Sequence, residues 1–118
     1  MTNEVLEGYF ERFRRTGDED AFHCLIEAGD DALKVLASKM SRNTRKDVVV
    51  ILQEIRTKGV TSFLKEQLKL ASTESSWRIF AEALAYQADL GEEFFAVEKK
   101  RLESLGRFAE AQYCESFS

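Results

Sequence analysis

Apolar residues return every three or four positions along nearly the whole chain, and no proline interrupts them. That spacing lays one apolar stripe along an α-helix. Proline breaks helix interiors, so its absence permits a wholly helical chain. The stripe stops and restarts, which divides the sequence into about eight predicted helices. Residues 3–15 carry Val5, Leu6, Tyr9, Phe10 and Phe13 on one face, and residues 19–28 carry Phe22, Leu25 and Ile26. Residues 31–41 carry Leu33, Leu36, Ala37 and Met40, and residues 45–58 carry Val48, Ile51, Leu52 and Ile55. Residues 61–71 carry Phe63, Leu64, Leu68 and Ala71, and the next helix, running to about Asp89, carries Trp77, Phe80, Ala81 and Leu84. Residues 92–104 carry Phe94, Phe95 and Leu102, and residues 107–116 carry Phe108, Ala109 and Tyr113. The β-branched run Val48–Leu52 favours a strand locally. A single short strand has nothing to pair with, so the run is assigned to a buried helix centre.

Gly17, Gly29, Gly59, Gly91 and Gly106 fall between apolar runs and read as helix ends, because glycine reaches the left-handed conformation that closes a helix. Gly8 lies inside a run. Asp30 is expected to cap the third helix, Asn43 or Thr44 the fourth, and Thr73 or Ser75 the sixth. The short connections between predicted helices favour antiparallel neighbours.

A chain of 118 residues fits one domain, 1–118, and can bury a core without disulfides or metals. Hydrophobic residues make up 44% and charged residues 32%, a balance that suits helices with one dry and one wet face. The net charge of −4 disfavours nucleic acid, whose phosphates call for a basic excess. No apolar run reaches membrane-spanning length, and the start Met1–Glu4 lacks a signal-peptide pattern. Cys24 and Cys114 have neither metal nor redox spacing, and two reduced thiols point to the cytoplasm.

The helices also echo one another. At a shift of about 29 residues Val48 falls on Trp77, Ile51 on Phe80, Leu52 on Ala81 and Ile55 on Leu84. Stepping outward, Phe22 meets Ile51, Ile26 meets Ile55, Phe80 meets Ala109 and Leu84 meets Tyr113. At about 31 residues Leu33 meets Leu64, Ala37 meets Leu68, Leu64 meets Phe95, and Ala71 lies between Met40 and Leu102. Within Asp30–Gly59 and Val60–Asp89, Ser62–Leu68 resembles the first helix of a HEAT repeat. Trp77–Leu84 resembles the second, with its arginine followed by small residues and a leucine. The chain is thus similar to the HEAT and armadillo type of helical-repeat protein over about half its length. Residues 30–89 are the clearest repeats, and 1–28 and 92–118 would be degenerate capping hairpins. Two departures stand out: the family often carries proline in its first helix, and Leu105–Ala111 resembles the tetratricopeptide pattern instead. The resemblance implies an all-α fold, a short right-handed α-solenoid of about four antiparallel hairpins. An irregular bundle of roughly six to eight helices has the same periodicity, and the residues alone leave both open.

No constellation of catalytic residues stands out. His23 adjoins Cys24, and neighbours on a helix diverge by about 100°. They form no nucleophile–base pair, and His23 is expected as a packed, hydrogen-bonded residue at a core edge. Glu19, Asp20, Asp30, Asp31, Glu92 and Glu93 open predicted helices, where negative charge complements the helix dipole. Arg42–Lys46 reads as a solvated turn, and no glycine-rich phosphate loop exists. The expectation is no enzyme, no metal and no cofactor.

The resemblance implies that second helices line a concave binding face. It would carry Arg45, Val49, Gln53 and Arg56 on one helix and Arg78, Glu82, Ala85 and Tyr86 on the next, with Asp20 and Arg107 in the outer repeats. The aromatic ends (Tyr9, Phe10, Phe13, Phe94, Phe95, Phe108 and Phe117) are expected as core or cap, or as a second contact surface where exposed. The function expected is a non-catalytic protein-binding module: an adaptor, a regulator or a toxin-neutralising immunity protein. Its partner is another protein, and a basic one suits the acidic chain. The alternative is a HEAT-like nucleic-acid groove using Arg45, Arg56, Arg78 and Arg107. The sequence leaves oligomeric state open.

Overall fold

The computed structural model describes residues 2–87 and 93–117. In chain order the elements are α1 (Asn3–Thr16), α2 (Glu19–Ala28), α3 (Asp30–Lys39), α4 (Arg45–Leu52), α5 (Lys58–Leu70), α6 (Glu74–Gln87), α7 (Phe94–Ser104) and α8 (Phe108–Tyr113), then a 3₁₀ turn over Cys114–Phe117. There is no strand among the described residues, so the fold is all-α. Val48–Leu52 is helical and buried except for Val50. The predicted end near Asp89, the glycine at Gly91 and the carboxylate of Glu92 lie outside the described residues.

Short polar side chains set where helices begin. Thr2 accepts from the Val5 N–H at 3.3 Å, and Asp18 accepts from the N–H groups of Asp20 and Ala21 at 2.9 and 3.2 Å. Each satisfies donors that a helix start leaves without a partner. Thr73 and Ser76 form a reciprocal box at the start of α6: Ser76 N–H donates to Thr73 Oγ1 at 3.2 Å, and Thr73 N–H to Ser76 Oγ at 3.4 Å. Glycine closes three ends, among them that of α2, where Gly29 at φ 59° donates its N–H to Ile26 O at 3.1 Å. Gly17, at φ 69°, donates its N–H to Phe13 O at 2.8 Å. Gly106, at φ 75°, sits in a Schellman turn in which Arg107 N–H donates to Leu102 O at 2.9 Å and Gly106 N–H to Glu103 O at 3.1 Å.

Several expectations need correction. Asp30 is the first residue of α3, not its cap, and its carboxylate accepts a hydrogen bond from the Thr57 hydroxyl at 2.5 Å. Gly59 is inside the first turn of α5, where a Cβ would come within 2.9 Å of Asp30 Oδ1. It lies in close approach to that carboxylate and does not end a helix. The helix predicted over 45–58 stops at Leu52, because Glu54 and Ile55 bond to carbonyls three residues back and tighten the turn. Ile55 remains buried beyond that end. Thr44 precedes α4 but makes no cap bond; its hydroxyl donates to Lys39 O at 2.8 Å and ties the preceding turn. His23 is exposed, with its ring edge-on to Phe22 at 5.7 Å, because Ala21 and Leu25 take the buried side of α2.

The chain divides into two compact units, Met1–Phe63 and Leu64–Ser118. In the first, α1 packs on α2 and α3, while α4 packs on α2 and α3. Leu6, Phe10, Leu25, Leu36, Val48, Ile51 and Leu52 fill its interior. Leu33, Ala37 and Met40 are only half-buried, since α3 turns Ala32, Val35 and Leu36 inward instead. Val5 faces water. In the second unit, α6 and α7 both pack on α8. Trp77, Phe80, Ala81, Leu84, Leu102 and Ala111 are buried there. Burying each large apolar side chain contributes about 1.5–3 kcal/mol. The face expected on the last helix is rotated: Phe108 is 66% exposed and Ala109 faces water, while Glu110 and Ala111 point inward. The reason is polar, since Arg107 draws Glu110 into an ion pair on the inner side.

Candidate interaction face on α6 and α8

The capping box at Thr73 fixes the start of α6, and the start fixes its phase. Ser76, Trp77, Phe80, Ala81, Ala83, Leu84 and Gln87 then face inward. Glu74, Arg78, Glu82 and Tyr86, one helical turn apart, are all exposed. Arg78 and Glu74 pair at 3.8 Å with both side chains close to half-exposed, a contact worth little by itself.

Packing of α8 on α6 brings Tyr113 beneath this row. The Arg78 guanidinium carbon lies 4.1 Å above the Tyr113 ring centroid, and the Tyr113 hydroxyl donates to Glu82 Oε1 at 2.7 Å. That hydrogen bond, with desolvation second, raises the Tyr113 pKa above that of a free phenol, against the opposing effect of Arg78. The ring is held from below, edge-on to Trp77 at 6.0 Å and to Phe117 at 5.2 Å. Phe117 in turn stacks on Phe95 at 4.5 Å.

A buried polar knot supports the same place. Trp77 Nε1 donates to Glu98 Oε2 at 2.9 Å, and Arg101 forks onto Glu98 with bonds of 2.6 and 2.7 Å. Glu98 is 5% exposed, so a carboxylate from α7 is held inside by charge-assisted bonds. They raise the Arg101 pKa. Cys114 lies buried nearby, and burial, followed by the Glu98 charge, pushes its thiol up to about 11. At the rim, Lys99 bonds Glu115, which raises its pKa.

Between α6 and the end of the chain lies an open depression of ≈ 370 Å³ lined by Glu74, Ala109, Gln112, Tyr113 and Ser116. It is shallow, unlike the enclosed clefts that sequester small ligands. Among the described residues there is no group of three potential metal-ligating His, Cys, Asp or Glu side chains.

The structure brings Arg78 and Glu82 together through Tyr113, with Tyr86 one turn further along α6. Arg107 is half-buried and turned inward: Nη1 donates to Ala71 O at 2.8 Å, Nε bonds Glu110, and Nη2 is buried without a hydrogen-bond partner. It serves as an internal brace. In the first unit, Val49 is 4% exposed and belongs to the core, contrary to its expected place on a groove. Arg45 opens α4 and is half-buried, while Gln53 and Arg56 lie past the end of that helix. These four therefore do not share one helix face. Tyr113, Gln112, Ser116 and Glu74 join the surface without being expected on it. The spacing of Glu74 with Arg78, Glu82 and Tyr86 on one helix is a signal that includes the last of them.

No protein-family model, curated protein or solved structure matches the chain. No helix among the described residues is long and apolar enough to cross a membrane.

Proposed function

We propose that the protein is a non-catalytic binding module that engages another protein through the outer face of α6 and α8. The observation that carries this reading is the Arg78–Tyr113–Glu82 platform: an exposed guanidinium seated on an aromatic ring whose hydroxyl is itself anchored. Arginine and tyrosine are over-represented among residues that dominate binding energy. Fixing them before contact lowers the ordering cost of association. An adaptor, a regulator and a toxin-neutralising immunity protein all fit such a surface. Two free cysteines suit a cytoplasmic setting.

The HEAT-like array is part of the same proposal. Val48 and Trp77, Ile51 and Phe80, Leu52 and Ala81, and Ile55 and Leu84 are buried at both members of each pair, which supports a repeated unit over residues 30–89. The correspondence fails at Ala109, which is exposed where Phe80 is buried. Nucleic acid is the weaker reading, because Glu74 and Glu82 flank Arg78 and Glu110 neutralises Arg107.

The test is affinity capture of the tagged protein from its native cells, read by mass spectrometry. A protein held in stoichiometric amount by wild type and by an Arg42→Ala control should be lost with Arg78→Ala and Tyr113→Ala. Truncating such an anchor weakens binding by about tenfold or more. A partner held equally by all four proteins removes this face from the assignment.

A further inference from the structure

The lining of the α6–α8 depression is unbalanced in hydrogen-bonding character. Ser116 donates its hydroxyl hydrogen to Tyr113 O at 2.7 Å, and Tyr113 donates its own to Glu82. A hydroxyl carries one hydrogen, so both leave only oxygen lone pairs for a visitor. Ser116 is exposed while Tyr113 is half-buried beneath the Arg78 guanidinium, so Ser116 is the more accessible acceptor of the two. Glu74 contributes a carboxylate, half-exposed and only loosely tied to Arg78 at 3.8 Å. Ala109 offers a small apolar floor, and Gln112 presents an amide whose oxygen can turn inward. Glu74 and Glu82 against Arg78 leave this face with one negative charge in excess.

We infer that the depression receives a cationic side chain, an arginine or lysine, presented by the protein partner. A surface of acceptors with surplus negative charge is complemented by a group rich in donors and bearing a positive charge. Guanidinium and ammonium groups have donors and no acceptors. The depression is open, so the cation enters on the end of a side chain anchored in a larger body. Its aliphatic stem lies along Ala109 and the edge of Tyr113, and its head reaches Glu74 and Ser116. This inference rests on the reading of α6 and α8 as the binding face and specifies the chemistry of what binds there.

The experiment is a titration of the ¹⁵N-labelled full chain, followed by amide chemical shifts. The probes are three acetylated, amidated tripeptides with a central arginine, citrulline or glutamate between glycines. Citrulline keeps the shape of arginine and removes its charge. The expected result is that the arginine peptide shifts the amides of Glu74, Ala109, Gln112, Tyr113 and Ser116, while the citrulline and glutamate peptides do not. Glu74→Gln should weaken the arginine peptide by about two- to fivefold, the range of one exposed ion pair. Equal shifts with citrulline, larger shifts with glutamate, or no shift at these amides overturns the inference. Capture that still depends on Arg78 and Tyr113 would then show the face to be correct and the cation wrong. Capture independent of both would remove the face itself.

Discussion

Glu98→Gln is the most direct probe of how this protein holds its candidate surface. The wild-type carboxylate accepts from Trp77 Nε1 and from two nitrogens of Arg101 at 2.6–2.9 Å, while only 5% exposed. Glutamine has the same shape but only one acceptor oxygen. Its –NH₂ must then face Arg101 Nε, or else Arg101 Nη2 and the indole N–H together, and either way donor meets donor. A buried donor left unmatched costs about 1–3 kcal/mol, and hydrogen bonds to a charged group contribute about 1.5–3 kcal/mol. The Arg101 side chain is 28% exposed and can recover some hydration, so the loss stays below that of breaking a fully buried pair. The expected destabilisation is about 2–3 kcal/mol. Urea unfolding measures it, followed by helical circular dichroism and by fluorescence of Trp77, the single tryptophan. Trp77 lies in the knot itself, so its signal reports the second unit. A loss under about 0.5 kcal/mol with an unchanged urea dependence would refute the claim that Glu98 holds α6 to α7.

Other perturbations test other links. Gly8 lies exposed in α1, with nothing within 4 Å of where an alanine Cβ would sit, so Gly8→Ala should stabilise by about 0.5–1 kcal/mol in the same urea assay. A destabilisation there would mean that α1 is not helical through residue 8. Phe80→Ala should cost about 3–5 kcal/mol, because the ring is 3% exposed and its loss leaves a cavity; a loss under about 1 kcal/mol would show α6 to be wrongly phased. Cys114 supplies the pH test. Its folded pKa is raised, to about 11 from an ordinary 9.0, so the native state holds its proton more tightly than the unfolded chain. The associated stability is full below pH 9.0 and is lost as pH rises towards about 11. Lys99 and Tyr113, both also raised, act in the same direction. Cys114→Ala should flatten the alkaline fall in urea midpoint, and an identical fall in the variant would rule the thiol out.

The fold class was legible because helical periodicity is a local property. A pattern such as the one over residues 3–15 needs no knowledge of what packs against it, and α1 emerges within one residue of its predicted end. Errors arise where a distant residue intervenes. Gly59 looks like a helix end until Asp30, far back in sequence, is seen to approach it closely within the first turn of α5. Residues 45–58 look like one helix because Ile55 continues the stripe, and it is buried as the stripe requires. It reaches the core from a tightened turn, which burial alone does not distinguish from a helix. The rotation of α8 is similar: Phe108 is the apolar residue and Glu110 the charged one, yet Arg107 reverses their places.

The candidate surface was half legible for the same physical reason. Arg78, Glu82 and Tyr86 share one face of α6, so helical spacing alone gathers them. What makes them a platform is Tyr113, which lies 31 residues beyond Glu82 and meets it only when α8 packs on α6. In sequence Tyr113 reads as one more apolar residue in a terminal stripe. Its hydroxyl gives it a second role: the ring packs against Trp77 while the oxygen reaches Glu82 at the surface. Glu98 shows the converse, since a lone carboxylate beside Lys99, Lys100 and Arg101 looks solvated, yet the indole of Trp77 draws it inside. Both side chains join an apolar environment to a polar partner far away in sequence, so their roles follow from tertiary pairing, to which a periodic pattern is blind.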